Sequence, residues 1–395
     1  MVICDVNIHR VAVPRIYTTK VAPAGGHGDG KAGSEYVLIE MMADEGAVGL
    51  GEISDIEPEW GDVSWDAIGD LIADAVLGRS VDRRIDALDA VRSSLPGSLH
   101  RELSSAIPAA VEAALIDVAA RTYGVPVYEL LGGAYRSRVA VSWVAYIRGT
   151  DELESEIREK VEEGFTAFKL KVGEDHALDL ERVKLTRALA GPGTHIRLDA
   201  SGEWEEAEAV DAIRELASVG VETPIRAALR TIAKNTPEQV SDHAEDVAAA
   251  LARVKAAVSI PIIEHVADFE DRFALALAAQ QAVDVFNVVP CQAGGSSRAL
   301  RLINVAEAAG IDVLLGSTVE LSPGTAMSLH IGVAGKGVTV ASDLVGPGLL
   351  EGDVCTDPLT YTNGGLEVTR ARGLGLELDE DKLKRFAVPR EDGDG

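Results

Sequence analysis

Two hydrophobic periods take turns along this chain. Val2–Val13 and Tyr36–Met42 alternate apolar with polar residues and are rich in β-branched side chains, which predicts two β-strands, and Val48–Ile53 continues that sheet after the turn at Asp44-Glu-Gly46. From Asp66 to Ala120 the apolar residues recur at spacings of three and four, with Ser64 and Ser104 placed as caps, which predicts helices. Strands followed by helices make an α+β unit, expected to span residues 1–133 and to close at Gly132-Gly133. Between its first two strands lies Ala22–Ser34, whose five glycines predict a mobile loop of the kind that covers or binds. His27 sits near its middle, as either a solvated histidine or a substrate contact.

After Gly133 the pattern changes to strand then helix, repeated. Strands are expected at Val139–Ile147, Ala167–Gly173, Ile196–Ala200, Val219–Glu222, Pro261–Glu264, Val283–Val289, Val313–Gly316 and Val338–Asp343. Helices are expected between them, including Glu152–Glu163, Leu178–Ala190, Glu205–Ala217 and a long, less regular stretch over Pro237–Ala257. Eight strands alternating with helices are what a closed parallel (β/α)8 barrel of the TIM type needs, here over residues 134–350. An open doubly wound sheet is the alternative, but no Gly-x-Gly-x-x-Gly follows any of these eight strands. Residues 351–395 form a C-terminal segment.

The run Ala167-Phe-Lys-Leu-Lys-Val-Gly173 carries two lysines one residue apart. A strand's period of two puts Lys169 and Lys171 on one face and Phe168, Leu170 and Val172 on the other. Inside a barrel, each ammonium disfavours protonation of the other and desolvation acts the same way, so one of them could serve as a base near neutral pH. On an edge strand the pair would be two solvated lysines. The strand ends that follow carry Asp199, then Glu222, then Glu264 with His265. Three carboxylates converging at one barrel mouth suit a hard cation such as Mg2+.

Charge and composition narrow the partners. The chain of 395 residues is 47% hydrophobic, enough for a large core, and its 64 Asp and Glu against 37 Lys and Arg give a formal net charge of −27. That balance argues against nucleic acid or an anionic membrane as a partner. Cys4, Cys291 and Cys355 lie far apart without a Cys-x-x-Cys pattern, which fits a reducing cytoplasm, and Cys291 reads as a small packing residue. The start, Met1–Arg15, lacks a basic region followed by an apolar one, and no apolar run approaches membrane-spanning length, so a soluble protein is expected.

The whole pattern resembles the enolase superfamily, in its muconate-lactonising and mandelate-racemase branches. The resemblance is carried by Ala113–Gly133, which looks like the helix leading into the barrel, and by Lys169-Leu-Lys171, Leu198-Asp-Ala200, Glu222-Thr-Pro224, Ala293-Gly-Gly295 and Gly373-Leu-Gly-Leu-Glu-Leu-Asp379, in that order. It implies Mg2+ held by Asp199, Glu222 and Glu264, with Lys171 as catalytic base and Lys169 stabilising the substrate carboxylate. It also implies a first domain that caps the barrel, completed by the C-terminal segment, with Tyr17, His27 and residues 53–56 lining the lid. A homo-oligomer is the corresponding expectation for assembly.

Three departures from the pattern bear on the reaction. The sixth strand ends Asn287-Val-Val-Pro290, so Val289 stands where muconate-lactonising relatives place a second lysine. The seventh ends Gly316-Ser-Thr-Val-Glu320, without the histidine of mandelate-racemase relatives. The fifth ends Ile263-Glu-His265 where many relatives have Asp-Glu. Moving a proton between the two faces of a carbon most simply uses two bases, so lysines on one side favour a one-base reaction. The expected function is a dehydratase or cycloisomerase acting on a small carboxylate through a metal-stabilised enolate. A racemase or epimerase of an amino-acid or hydroxy-acid derivative is the alternative, with His265 available for a two-base route or as a neighbouring loop residue. Thr318 and Glu320 are possible substrate contacts or satisfied polar groups at the barrel top. From other classes, a Schiff-base aldolase using Lys171 and a non-catalytic ligand-binding barrel remain.

Overall fold

The computed structural model describes residues 1–23, 30–61, 63–219, 221, 225–226, 229–233 and 236–389. Three antiparallel strands, β1 (Ile3–Thr19), β2 (Lys31–Ala43) and β3 (Val48–Ile56), form a sheet in sequence order. The first two run further than their alternation suggests, because Thr19 pairs with Lys31 and draws the ends of the glycine-rich segment into the ladder. His27 lies outside the described residues. The helical stretch divides into α1 (Trp65–Val76), α2 (Arg84–Ser94) and α3 (Arg101–Tyr123). Ser64 caps α1 by accepting from the Ala67 amide at 3.3 Å. Ser104 lies inside α3, where His100 is the capping residue instead.

α3 joins the two halves of the molecule. Ile107, Val111, Leu115 and Val118 pack under the sheet, while Ala113, Ile116 and Ala120 belong to the core shared with the barrel. A helix buried all round reads as continuously apolar, so α3 is long and apolar enough to cross a bilayer, contrary to the expectation of no such run. Of its most apolar window 89% is buried by protein, as in the core helix of a globular domain. The sheet approaches α3 so closely that a Cβ on Gly51 would lie 2.0 Å from the Ala110 carbonyl oxygen, and one on Gly49 2.2 Å from that of Ala114.

Beyond this unit, seven parallel strands are hydrogen-bonded side by side: Trp143–Ala145, Ala167–Lys171, His195–Asp199, Ile225–Arg226, Ile262–His265, Val285–Val288 and Asp312–Leu315. The segment 338–343 closes the ring through parallel bridges from Val338 to Val313 and from Ser342 to Val141. The fold is thus mixed α/β, a barrel of the TIM type with an N-terminal α+β unit against it. Two expected elements differ. The first strand is split: Arg138–Ala140 pairs antiparallel with Gly365–Glu367, and only Trp143–Ala145 enters the barrel sheet. The expected fourth strand Val219–Glu222 lies partly outside the described residues, and the described fourth strand is Ile225–Arg226, where Ile225 pairs with both Leu198 and Ile262. The long helical stretch also breaks at His243 into Pro237–Asp242 and Ala244–Ala257.

Residues after Leu350 return to the first unit. Glu351 donates to the Pro14 carbonyl, Val388 to that of Arg10, and the Leu374 amide to Asp117 of α3 at 2.7 Å. His330 stacks on Tyr128 with centroids 5.6 Å apart and accepts from the Tyr128 amide.

Two outcomes follow for stability. Gly51→Ala should cost about 1–3 kcal/mol or more in urea unfolding, because the methyl overlaps backbone that cannot move away alone. Burial lowers the His330 pKa to about 4, so the folded chain holds it neutral. As pH falls from about 6.5 toward 4, the unfolded chain takes up a proton that the folded chain does not, and stability should drop by about 3 kcal/mol through this residue. Unfolding measured against pH should lose that limb in His330→Gln.

Candidate functional site

The C-terminal ends of the barrel strands open into a cavity of about 480 Å³ beneath the first unit. Lys171, Glu264, His265 and Thr318 line it from the barrel, and Ser54, Asp55, Trp60 and Glu102 from the other side.

The two lysines share a face, as their spacing dictates. In the parallel register Lys171 stands beside Asp199 and Lys169 beside Arg197, so all four side chains belong to one face of neighbouring strands. Lys171 Nζ lies 2.8 Å and Lys169 Nζ 2.9 Å from the same oxygen, Asp199 Oδ2. The other oxygen, Oδ1, accepts from the Ser201 amide at 3.0 Å, in a turn where Ser201 takes φ +51°. Lys169 also reaches Asp343 Oδ2 at 3.0 Å, and Arg197 holds Oδ1 of that carboxylate at 2.5 Å. Burial works against ionising Asp343, but Arg197 and Lys169 outweigh it and hold its pKa below the usual carboxylate value. The buried Arg182 ties the strand tips together, donating to the Lys171 carbonyl at 2.6 Å and to that of Tyr146 at 2.8 Å.

Across the mouth, Glu264 is buried and its Oε1 accepts from the His265 amide at 2.8 Å. His265 turns its ring toward the sixth strand, where Asn287 Nδ2 donates to Nε2 at 2.8 Å, and its side chain reaches the cavity beside Glu264. The end of the strand lets both neighbours do so, whereas a longer regular strand would send them to opposite faces. Val289 is buried at the sixth strand's end. Gly316 is required there, because a Cβ would meet Asn287 Oδ1 at 2.4 Å and Val289 Cγ2 at 2.6 Å.

Asp199 and Glu264 supply hard anionic oxygens at the ends of the third and fifth strands, a donor chemistry that fits a divalent cation such as Mg2+. Glu222, the expected donor between them, lies outside the described residues, and among the described residues no group of three or more His, Cys, Asp or Glu side chains is spaced to hold a metal.

The remaining expected contacts divide. Thr318 lines the cavity, with Cys291 Sγ 3.5 Å from its hydroxyl. Burial raises the Cys291 pKa, so the side chain is a thiol. Tyr17 is not among the cavity's lining residues. Its hydroxyl donates to Glu156 Oε1 at 2.8 Å, beside Trp143 and Arg148, which act on the same carboxylate. Glu320 likewise stands behind the cavity wall: Ser317 Oγ and the amide and hydroxyl of Thr318 donate to it, and burial raises its pKa. It shares a small internal space with Glu52, a residue the sequence did not single out. Burial pushes Glu52 up to about 8 with Glu320 adding to the effect, against the amides of Gly324 and Leu321, which pull it down. Asp343, Arg197 and Arg182 were also missed. Their signal was weak, since polar residues inside strands and a helix acquire meaning only through partners far along the chain.

Asp343→Asn should therefore cost about 3–5 kcal/mol in denaturant unfolding, because it leaves Lys169 and Arg197 buried with half their counter-charge removed.

Comparison with known proteins supplies the family. Residues 152–382 match the model described as enolase C-terminal domain-like, and residues 19–132 the model of the mandelate racemase / muconate lactonizing enzyme N-terminal domain. The chain is 29% identical over 386 residues to L-Ala-D/L-Glu epimerase of Bacillus subtilis (strain 168), covering 95% of this chain and 97% of that protein. It is 30% identical over 365 residues to muconate cycloisomerase 1-1 of Acinetobacter lwoffii, covering 90% and 89%. The crystal structure of 2-chloromuconate cycloisomerase from Rhodococcus opacus 1CP superposes with a TM-score of 0.83 at 28% identity, over 98% of this chain and all of that one.

Proposed function

This chain belongs to the mandelate racemase / muconate lactonizing enzyme family of the enolase superfamily, and from that premise we propose that it uses Lys171 to remove the α-proton of a small carboxylate, as a cycloisomerase or dehydratase. It is an enzyme of that superfamily, whose mandelate-racemase and muconate-lactonising members generally depend on Mg2+. The observation that carries the reading is the convergence of Lys171 and Glu264 on one cavity, with Asp199 2.8 Å from the Lys171 ammonium.

In this reading Asp199, Glu264 and Glu222 hold Mg2+. When bound, the ion supplies Lewis-acid stabilisation of the negative charge that develops on the substrate carboxylate. The protein does the rest. Lys169, set between Asp199 and Asp343, offers a fixed positive charge to that carboxylate. Lys171 takes the α-proton at Nζ and can return it on the same side of the substrate. Thr318, whose hydroxyl donates to Glu320, lines the wall beside the substrate, and the cap side closes the cavity and excludes water.

Buried Val289 leaves the sixth strand without an ammonium opposite Lys171, which favours a one-base reaction. Cycloisomerisation and syn elimination both need only one. Epimerisation is the second reading, and it has one observation behind it: His265 reaches the same cavity from the fifth strand, leaning toward the sixth. The family assignment removes the non-catalytic barrel, and a Schiff-base aldolase would leave Asp199 and Glu264 without a role. A small carboxylate as substrate, no nucleic-acid or membrane partner, a homo-oligomer and a cytoplasmic setting complete the proposal.

The test is solvent-deuterium incorporation across a library of carboxylates, including muconate and its lactones, hydroxy acids and dipeptides, with Mg2+ present. One acid class should exchange or lose water, chelation should stop it, and Lys171→Ala should slow it by about 10²–10⁴-fold. Equal turnover by Lys171→Ala would overturn the assignment of the base. Exchange with loss of optical activity would select the epimerase.

A further inference from the structure

Val319 has φ +63°, a left-handed conformation that a β-branched residue adopts only under constraint. It lies in the connection after the seventh barrel strand, directly after Thr318, and Ser317, Thr318 and Val319 all line the catalytic cavity. Two residues of the cap sheet hold this connection from above. Tyr36 of β2, fully buried, donates its hydroxyl to the Val319 carbonyl at 2.7 Å. Glu52 of β3 accepts from the Leu321 amide at 2.8 Å on one oxygen and from the Gly324 amide at 2.7 Å on the other. From below, Gly346 packs so tightly that a Cβ there would lie 1.9 Å from the Glu320 carbonyl oxygen. Within the connection, Ser317 Oγ accepts from the Val319 amide at 2.9 Å and Glu320 accepts from the Thr318 amide at 2.8 Å.

We propose that Tyr36 and Glu52 are positioning residues, which keep Val319 in its left-handed conformation and thereby hold Ser317 and Thr318, whose hydroxyls donate to Glu320 behind them, in place as one wall of the cavity only while the cap is docked. The inference rests on the proposed function for what that wall meets, but the clamp itself does not depend on the substrate. The cap in this arrangement does more than cover the mouth. The catalytic wall on the seventh strand side takes its shape from residues nearly three hundred positions earlier in the chain, and an undocked cap leaves that wall unformed.

Hydrogen–deuterium exchange on the full-length protein, without substrate, tests the clamp. Tyr36→Phe and Glu52→Gln should each speed amide exchange across residues 317–321 by about tenfold or more, while exchange in α3 and in Ala167–Lys171 stays unchanged. Glycine adopts the left-handed conformation without a steric penalty, so the effect of Tyr36→Phe should shrink severalfold in a Val319→Gly background. Faster exchange throughout the cap, an unchanged loop, or an equal effect of Tyr36→Phe with and without Val319→Gly would each overturn the proposal. A second readout uses whichever carboxylate exchanges its α-proton: Tyr36→Phe should change kcat and KM by different factors, and Val319→Gly should restore part of the loss. If no carboxylate exchanges, the proposed function fails while the exchange result on the loop still stands or falls alone.

Discussion

Three cations are placed inside a barrel, and the rest of the site is arranged around that fact. Lys169, Lys171 and Arg197 project from two adjacent strands on one face, where water is largely excluded and like charges repel strongly. Asp199 answers two of them with a single oxygen, and Asp343, arriving on the segment that closes the ring, bridges Lys169 to Arg197. An open sheet would leave the second and eighth strand positions far apart. Closure brings Asp343 next to Lys169, so barrel geometry and charge balance are one requirement.

A second dependence runs through α3. Its two apolar faces serve two cores, and the glycines of β3 let the sheet lie against its backbone, so the cap cannot shift without disturbing the helix that leads into the barrel. The C-terminal segment returns to the same helix through Leu374 and Asp117. With Tyr36 and Glu52 reaching the seventh connection, the first unit and the cavity wall are joined by buried polar contacts as well as by apolar area. Such contacts are demanding, since each buried donor or acceptor must find its partner, and they therefore specify one docked arrangement.

Much of this was legible in the chain. The change from alternation to a helical period marked the first unit, and the repeated strand and helix marked the barrel. The resemblance carried by Lys169-Leu-Lys171, Leu198-Asp-Ala200 and Ala293-Gly-Gly295 agreed with the family that the comparisons establish. Where an element differs, long-range pairing overrode a local signal: the expected first barrel strand is split because Arg138–Ala140 pairs with Gly365–Glu367. Tyr17, expected at the lid, donates its hydroxyl to Glu156, and Glu320, expected as a substrate contact or a satisfied polar group, accepts from Ser317 and Thr318; neither set of partners can be read from the local pattern.

The sequence by itself determined which side chains share a face. That is a property of covalent geometry, in which a strand repeats every two residues, so Lys169 and Lys171 point the same way whatever surrounds them. It also determined the order of elements, since hydrophobic period is a local signal. Only the tertiary structure decided what each group meets: Asp199 through the register of adjacent strands, Asp343 through closure of the barrel, and Val319 through a cap sheet folded from the other end of the chain. Those partners depend on contacts across tens or hundreds of residues, and no local pattern in a single chain encodes them.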